Sequence, residues 1–171
     1  EALAARLERF KIRVKADIRV EPATSPAPTD GHEAARVAAG WPRLGFEIVP
    51  GQTIPAVTGV VPVAVSFTKG CYTGQEIVAR MKYLGKLKRR MYHAQVAADT
   101  APHPGDKLHA DASKSSQASG RIVDVRPVGG GRYEMLAVME VDAAENGTVR
   151  LSPGGPVLSV EAPPYGFGDA A

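Results

Sequence analysis

The sequence predicts an α+β protein in which short helices and strands precede a small antiparallel β-barrel. Its 171 residues are 44% hydrophobic, which is enough to bury a sizeable core in one domain or two small ones. Apolar residues recur at helical spacing in several places before residue 85, whereas later apolar runs are short and separated by Gly, Pro, Asp and Ser. We therefore place a domain boundary near Gly85, between residues 1–85 and residues 86–171.

The first region is predicted to begin with a helix and then a strand. Leu3, Leu7 and Phe10 recur at helical spacing, and residues 12–20 alternate apolar with polar side chains. Residues 21–30 contain three prolines and are predicted to form a loop. Because the chain starts without Met and directly within a helical pattern, we expect it to be a piece of a longer protein.

A second helix is predicted after this loop. Asp30 and Glu33 have the spacing of a capping box, and Gly40 supplies a stop signal. Residues 50–62 are rich in Pro, Gly and Thr, which indicates an ordered meander. This meander leads into residues 63–67, which we predict to be a short strand or an extended segment.

The run 69–76 reads Lys-Gly-Cys-Tyr-Thr-Gly-Gln-Glu and contains the chain's only cysteine. Glycine can adopt a positive φ, so two glycines around three side chains predict a shaped turn that presents Cys71 and Tyr72. Residues 75–81 then predict a short helix with Glu76 in its first turn, where the helix dipole favours an anion. A cysteine just before a helix N-terminus and close to basic residues is a candidate reactive thiolate; the alternative is a small buried hydrophobe.

Positive charge is concentrated around this turn. Between Lys69 and His93 the chain carries seven Lys and Arg residues against Glu76 alone, a local net charge of about +6, whereas the whole chain carries +3. Such a patch suits an anionic partner: a carboxylated small molecule, a phosphate or a nucleic acid. The alternative is a solvated edge strand, on which lysines prevent aggregation.

Composition excludes several classes of protein. A single cysteine permits no internal disulfide, in agreement with a reducing compartment. No stretch reaches the roughly 18 apolar residues of a membrane span, and no secretory-signal pattern begins the sequence, so we predict a cytoplasmic location and no membrane partner. Four scattered histidines and one cysteine form no metal-ligand cluster, so no metal site is predicted.

The second region is predicted to be a small antiparallel barrel or sandwich built from short strands. The candidate strands are residues 92–96, 120–125, 133–139 and 157–160. Residues 128–132 are typical of a hairpin connection. Their glycine triplet lacks the spacing of a phosphate-binding loop, so no such loop is predicted.

The run 69–76 resembles the signature of the YgfZ folate-binding proteins, which are relatives of the glycine-cleavage T-protein, an aminomethyltransferase. Residues 36–45 resemble the Arg-hydrophobic-x-x-Gly-x-Pro segment of the same family. The other matching positions are Pro55 and residues 64–67, 77–80 and 161–165. With the β-rich second region, the resemblance covers most of residues 33–165.

The resemblance implies a three-part protein whose domains surround a central opening that binds tetrahydrofolate, with a C-terminal β-barrel. It also implies a role in the assembly or repair of iron–sulfur clusters, with iron–sulfur enzymes or assembly proteins as partners. Residues 1–85 would then be a partial, T-protein-like folate-binding region. Full-length members have a long segment where this chain has only the proline-rich residues 21–30, so part of the opening is expected to be missing.

Aminomethyl transfer is the alternative function that the resemblance implies, and whether the chain is an enzyme is left open. In T-proteins, the aspartate that assists the reacting folate nitrogen lies in an N-terminal portion which has no counterpart here. T-proteins also lack the Lys-Gly-Cys-Tyr turn. We therefore disfavour aminomethyl transfer.

By the same resemblance, two residues are the main candidates for folate contacts. Arg36 matches a T-protein position that helps to hold folate; the alternative is a helix-surface arginine. Tyr72 could stack on the pterin or the aminobenzoate ring, or it could cap the turn by packing. Trp41, the only tryptophan, is expected in the core rather than at the ligand.

The remaining candidates lie in or just after the turn. Gln75 and Glu76 could face the ligand or cap the helix start, and Lys69 could steady an anion or point into water. Arg80 is a further candidate for binding the folate. Cys71 is the candidate catalytic residue, as a redox-sensitive or transiently nucleophilic thiol.

A third function, the binding of single-stranded nucleic acid, would use residues 86–90 and the barrel, as in an oligonucleotide-binding fold. Only Tyr83 and Tyr92 interleave with the basic residues there. We therefore rank this function last.

Overall fold

Short helices precede a six-stranded antiparallel sheet in the computed structural model, which describes residues 29–45, 47–49, 53, 55–111 and 118–166. The helices are α1 (Asp30–Ala38), α2 (Pro55–Thr58), α3 (Val61–Ala64), α4 (Gln75–Leu84) and α5 (Val141–Asn146). The strands are β1 (Arg89–Ala97), β2 (Lys107–Ala110), β3 (Gly120–Gly129), β4 (Arg132–Glu140), β5 (Val149–Arg150) and β6 (Ser159–Glu161). The helix and strand predicted over residues 1–20, and residues 21–28 of the predicted loop, lie outside the described residues.

The sheet curls into a small, nearly closed barrel. Its strand order is β5-β2-β3-β4-β1-β6, and every neighbouring pair is antiparallel. The two ends of the sheet approach each other, because Arg150 in β5 bridges to Val157 and the Leu158 amide donates to the Val149 carbonyl at 2.9 Å. The predicted combination of short helices with a small antiparallel barrel is therefore confirmed.

Apolar side chains from alternate strand positions fill the barrel interior. Leu108, Ile122, Met135 and Met139 have no exposed surface. The predicted hairpin is present, since β3 ends at Gly129 and β4 begins at Arg132. Strands β2 and β5 were not predicted; they have only four and two residues, too few for an alternating pattern to stand out.

Helix α1 begins one residue earlier than predicted and packs on the outside of the barrel. Its N-cap is Thr29, which forms the capping box with His32, so the predicted Asp30 and Glu33 box is wrong. On its buried face, Val37 packs with Met91 and Leu136 in a second apolar cluster. The helix thereby joins the first region to β1 and β4, while a division near Gly85 stays a prediction.

The segment before the cysteine turn differs from its prediction. Residues 61–64 form the short helix α3, so a strand over residues 63–67 is wrong, although Val65 is extended, with φ −121° and ψ 124°. Pro62 lies in the first turn of α3, a position that proline favours because its φ is already helical. None of the helices in the described ranges has the length and hydropathy of a membrane-spanning segment.

The C-terminal segment folds back onto the end of α1. The Tyr165 hydroxyl lies 2.9 Å from the Gly40 carbonyl oxygen and 3.2 Å from that of Thr58. Gly40 has a φ of +68°, and a Cβ there would lie 3.0 Å from the Cβ of Pro163. Trp41 meets the Tyr165 ring edge to face and is 45% exposed, so the prediction that it lies in the core is wrong.

Candidate functional site

The thiol turn, residues 69–76, has the shaped backbone that its glycines predict. Gly74 adopts a φ of +89° as the N-cap of α4. The Tyr72 amide donates to the Gln75 side-chain oxygen at 3.2 Å, and the Gln75 amide donates to the Tyr72 carbonyl at 3.2 Å. Cys71 is exposed on this turn rather than buried. Gln75 therefore stabilises the turn itself, and the sulfur is accessible to a reagent or ligand.

Tyr72 is the residue of the turn with an unmet bonding requirement. Its ring is half-buried, and the Lys69 ammonium lies 4.6 Å from the ring centroid, within the range of a cation–π contact. Its hydroxyl is buried and finds no hydrogen-bond partner within the described ranges. A buried hydroxyl without a partner costs about 1 to 3 kcal/mol. A ligand or water that reached this oxygen would remove that cost.

A second cation–aromatic group adjoins the turn. The Lys82 ammonium lies 4.1 Å from the Phe67 ring centroid and 5.6 Å from that of Tyr83, and the two rings meet edge to face at 6.0 Å. Tyr83 is 64% exposed. Basic and aromatic side chains therefore share one accessible surface.

Helix α4 has a narrow buried face. Val78 is buried, whereas the neighbouring Ile77 is 60% exposed. Glu76 and Arg80 are both exposed. The side chains of Glu76 and Arg80 are thus available to a ligand, as that of Lys69 is, and their contacts with folate stay a prediction.

Arg36, by contrast, lies inside a group of six charged residues that we call the Arg36 cluster. Its members are three arginines and three carboxylates: Arg36, Arg43, Arg126, Glu33, Glu47 and Asp124. Arg36 donates from Nε to Glu33 at 3.1 Å, from Nη1 to Glu47 at 3.2 Å, and from Nη2 to Asp124. Its Nη1 also donates to the Trp41 carbonyl at 2.6 Å. Arg36 therefore ties α1, the 41–47 segment and β3 together.

Burial and charge act against each other in this cluster. The side chains of Glu47 and Asp124 are 1% and 6% exposed, and that of Arg36 is 13% exposed. Burial alone would lower the pKa of Arg36, but the hydrogen bond that Arg36 donates to Glu33 and the charges of Glu47 and Asp124 raise it. Burial would likewise raise the pKa of Glu33, and the neighbouring arginines, Arg36 first, lower it instead. The net result is a lowered pKa for Glu33 and a raised pKa for Arg36, and both favour the ionised form.

The structure therefore gives Arg36 a structural role. Four of its five N–H groups have acceptors within the protein, so a folate carboxylate would compete with three carboxylates already in place. Its contact with folate stays a prediction. Sequence reasoning missed Glu47 and Asp124. Strand alternation groups Asp124 with Ile122 in the barrel interior, but the register shift between them places Asp124 beside Leu136 on the face that packs against α1, so no local signal identified it.

The described residues contain no group of three or more His, Cys, Asp or Glu side chains that could hold a metal ion. A reduced folate fits the thiol turn better than the Arg36 cluster. The turn offers an aromatic ring, a hydroxyl that lacks a partner and the exposed cation of Lys69. These groups match the ring and the anionic tail of a folate in type.

Comparison with known proteins finds no matching family model but several curated relatives. A tRNA-modifying protein YgfZ from Yersinia enterocolitica is 32% identical over 134 residues, which are 77% of this chain and 40% of the relative. The protein of the same name from Enterobacter sp. strain 638 is 30% identical over 133 residues, with the same coverage of 77% and 40%. That from Yersinia pestis strain Pestoides F is 34% identical over 112 residues, 63% of this chain and 34% of the relative.

The matched part is most of this chain but a minority of each relative. The chain spans about two fifths of the length of the first two relatives. The identity covers much more than one short motif, and the barrel agrees with the resemblance noted in the sequence. The chain therefore belongs to the YgfZ family.

Proposed function

We propose that the thiol turn and α4 form part of a tetrahydrofolate-binding site in a cytoplasmic, YgfZ-type auxiliary protein that supports iron–sulfur enzymes. The observation that carries this proposal is the pairing of an exposed Cys71 with Tyr72, whose buried hydroxyl has no hydrogen-bond partner among the residues that the structure describes. Membership of the YgfZ family supports it. The activity, substrates and partners of the whole protein are part of the proposal, because this chain spans only part of its relatives.

Each residue of the turn has a proposed task. The Tyr72 ring packs against the folate and its hydroxyl accepts or donates a hydrogen bond. Lys69 and Arg80 bind the anionic tail, since both are exposed cations. Glu76 accepts hydrogen bonds from pterin N–H groups, and Gln75 holds the turn in shape through its contact with Tyr72. Cys71 is the reactive group beside the bound ligand.

The relatives are named tRNA-modifying proteins, and this name bears on which enzymes the whole protein supports. A role in tRNA modification and a role in supporting iron–sulfur enzymes agree with each other if the supported enzyme modifies tRNA and carries an iron–sulfur cluster. We propose this class of enzyme as the client of the whole protein. A deletion strain that kept full cluster occupancy in its tRNA-modifying iron–sulfur enzymes would contradict it.

Calorimetric titration with tetrahydrofolate tests the folate site. We expect Tyr72→Leu and Lys69→Gln each to weaken binding about tenfold, which corresponds to the loss of one good contact. Arg132→Gln is the matched control, because it removes one exposed positive charge from the barrel hairpin and should leave the affinity unchanged. The titration is repeated with the corresponding substitutions in a full-length YgfZ relative, so that weak binding by this chain alone does not hide their effect. Equal affinities for wild type and turn variants in both backgrounds would reject the site.

A second candidate function is contact with single-stranded RNA, and the Lys82, Phe67 and Tyr83 group favours it. Exposed aromatic rings next to cations are typical of surfaces on which bases stack. Fluorescence anisotropy with a single-stranded oligoribonucleotide tests it, and Tyr83→Ala should weaken binding by about tenfold or more while Tyr133→Ala serves as the control. Absence of salt-dependent binding at low ionic strength would eliminate this candidate.

Aminomethyl transfer stays the alternative activity. A glycine-cleavage assay with a lipoyl carrier protein and tetrahydrofolate separates it from simple folate binding. We expect no turnover, and sustained formation of the one-carbon folate product would replace the binding role with an enzymatic one.

A further inference from the structure

A cavity of about 590 Å³ lies between residues 47, 49, 53, 57 and 58 and the outer face of the barrel. Three cationic side chains line it: Arg89 of β1, Lys107 of β2 and Arg121 of β3. Its volume is within the range of roughly 300 to 1,000 Å³ typical of small-molecule sites. Its described lining includes no residue of the thiol turn.

Two of these cations are placed against each other. Lys107 and Arg121 are directly opposed in the antiparallel pairing of β2 with β3. Both side chains are exposed, and neither forms an ion pair with any residue that the structure describes. Like charges at directly opposed positions destabilise a sheet. A bound anion would convert this repulsion into two favourable contacts.

The third cation, Arg89, forms only a weak, exposed ion pair. Arg89 lies 3.3 Å from a Glu140 oxygen, and both side chains are about half exposed. Exposed pairs of this kind contribute roughly 0 to 1 kcal/mol, so Arg89 can turn to an anion at little cost. Among the described lining residues the one carboxylate is Glu47, which is already bound by Arg36 and by the Arg43 amide. The groups available to a ligand are therefore net positive.

The walls of the cavity are aliphatic. Val57, Val123 and Val138 line it, and Val123 lies at the register shift between Ile122 and Asp124. Thr58 also lines the cavity, but its hydroxyl donates to the Pro55 carbonyl at 2.8 Å. Apolar walls below a cationic rim suit a molecule that has a compact apolar or aromatic body and negative charge at one end.

We propose that this cavity binds an aromatic small molecule that carries two or more negative charges. A nucleoside monophosphate and an aminobenzoyl-glutamate are two sources of this chemistry. The carboxylates or the phosphate contact Lys107, Arg121 and Arg89, and the aromatic body packs on the valines. The proposal is independent of folate binding at the thiol turn.

Titration of the 171-residue chain at low salt with adenosine monophosphate, and separately with 4-aminobenzoyl-glutamate, tests the proposal and distinguishes the two sources. We expect at least one of the two probes to bind. If the nucleotide is the ligand, adenosine, which lacks the phosphate charge, should bind at least tenfold more weakly than the monophosphate. Arg121→Gln and Lys107→Gln should each weaken the binding about tenfold. Lys86→Gln removes one exposed charge outside the cavity lining and should leave it unchanged.

Binding of neither probe would overturn the proposal. So would an equal loss in Lys86→Gln, because that result would indicate only a general attraction of anions to a basic protein. Thermal unfolding of the unliganded variants checks that they fold, and Arg121→Gln should not lower the midpoint, since it removes a repulsion. Tyr72→Leu separates this site from the thiol turn: it should weaken tetrahydrofolate binding and leave probe binding to the cavity unchanged.

Discussion

The Arg36 cluster and the thiol turn use charged residues in opposite ways. In the cluster, three arginines face three carboxylates, and the most buried side chains have several partners each. Around the turn, Lys69 and Lys82 contact aromatic rings instead of carboxylates, and Glu76 is exposed. The charged residues of the Arg36 cluster thus stabilise the fold, whereas those around the thiol turn are accessible to an outside partner.

The difference follows from burial. A charge that leaves water needs a partner of opposite charge and good geometry, or the folded state becomes unstable. The face of an aromatic ring satisfies a cation only partly, so a lysine on an exposed ring can exchange that contact for an anion. A cluster residue cannot be removed without loss of stability, but a turn residue can.

The removal of one buried charge tests the contrast between the Arg36 cluster and the thiol turn most directly. Asp124→Ala leaves Arg36 without one of its main partners, and we expect a loss of about 3 to 5 kcal/mol in the free energy of unfolding. Urea denaturation measures it. Arg89→Ala is the control, since it removes an exposed pair and should cost less than about 1 kcal/mol. Equal losses for the two variants would mean that the cluster contributes no more than a surface pair.

The next largest effect is expected where the C-terminal segment meets α1. Gly40→Ala places a Cβ at a φ of +68° and 3.0 Å from Pro163, and we expect it to cost about 2 to 3 kcal/mol. Gly154 has the same φ of +68° but nothing within 4 Å of a Cβ. Gly154→Ala should therefore cost only about 1 kcal/mol of backbone strain. The difference between the two denaturation curves measures the contact itself.

A smaller, pH-dependent effect is expected at Tyr165. Burial raises its pKa to about 12 from an ordinary 10.0. The folded state therefore favours the neutral phenol, so the resulting stabilisation is complete below about pH 10 and is lost as the pH rises through about 12. Tyr165→Phe should cost about 1 kcal/mol at neutral pH and remove part of the alkaline decline in thermal midpoint. A decline unchanged in Tyr165→Phe would assign it to other groups.

The smallest effect on stability is expected at the thiol turn. Cys71→Ala should change the free energy of unfolding by less than about 0.5 kcal/mol, because the side chain is exposed. Iodoacetamide should label Cys71 in the native protein at least as fast as in the protein unfolded in urea, because the sulfur is exposed. Strong protection in the native state would show that the sulfur is covered, and the contrast with the Arg36 cluster would fail.

Local patterns in the sequence predicted much of the barrel but little of the cluster. Alternating apolar residues predicted β1, β3 and β4, and glycine predicted the end of α1 and the start of α4. These features depend on neighbouring residues. The contact between Arg36 and Asp124 joins residues 88 positions apart, and no local pattern encodes such a pairing. Residues 63–67 were predicted to be a short strand or an extended segment, whereas residues 61–64 form a helix whose start Pro62 favours.

The thiol turn shows a different limit. Its glycines and helix start were predicted, but the sequence left open whether Cys71 is buried or exposed, because exposure depends on what packs against the turn. The exposure of Trp41 could not be predicted for the same reason. It was expected in the core because it is large and apolar, yet its ring lies against Tyr165, which is 124 positions later in the chain and leaves one side open.

The contact of Tyr165 with Gly40 has a consequence for synthesis. The two residues are 125 positions apart, so the ribosome makes Tyr165 long after α1 has emerged. Until β1 and β4 have been made, Val37 of α1 lacks its contacts with Met91 and Leu136, and until Tyr165 has been made the end of α1 lacks its C-terminal cover. Among the helices that the structure describes, α1 is made first and waits for these later contacts, so chaperone binding to the nascent chain is expected to concentrate there.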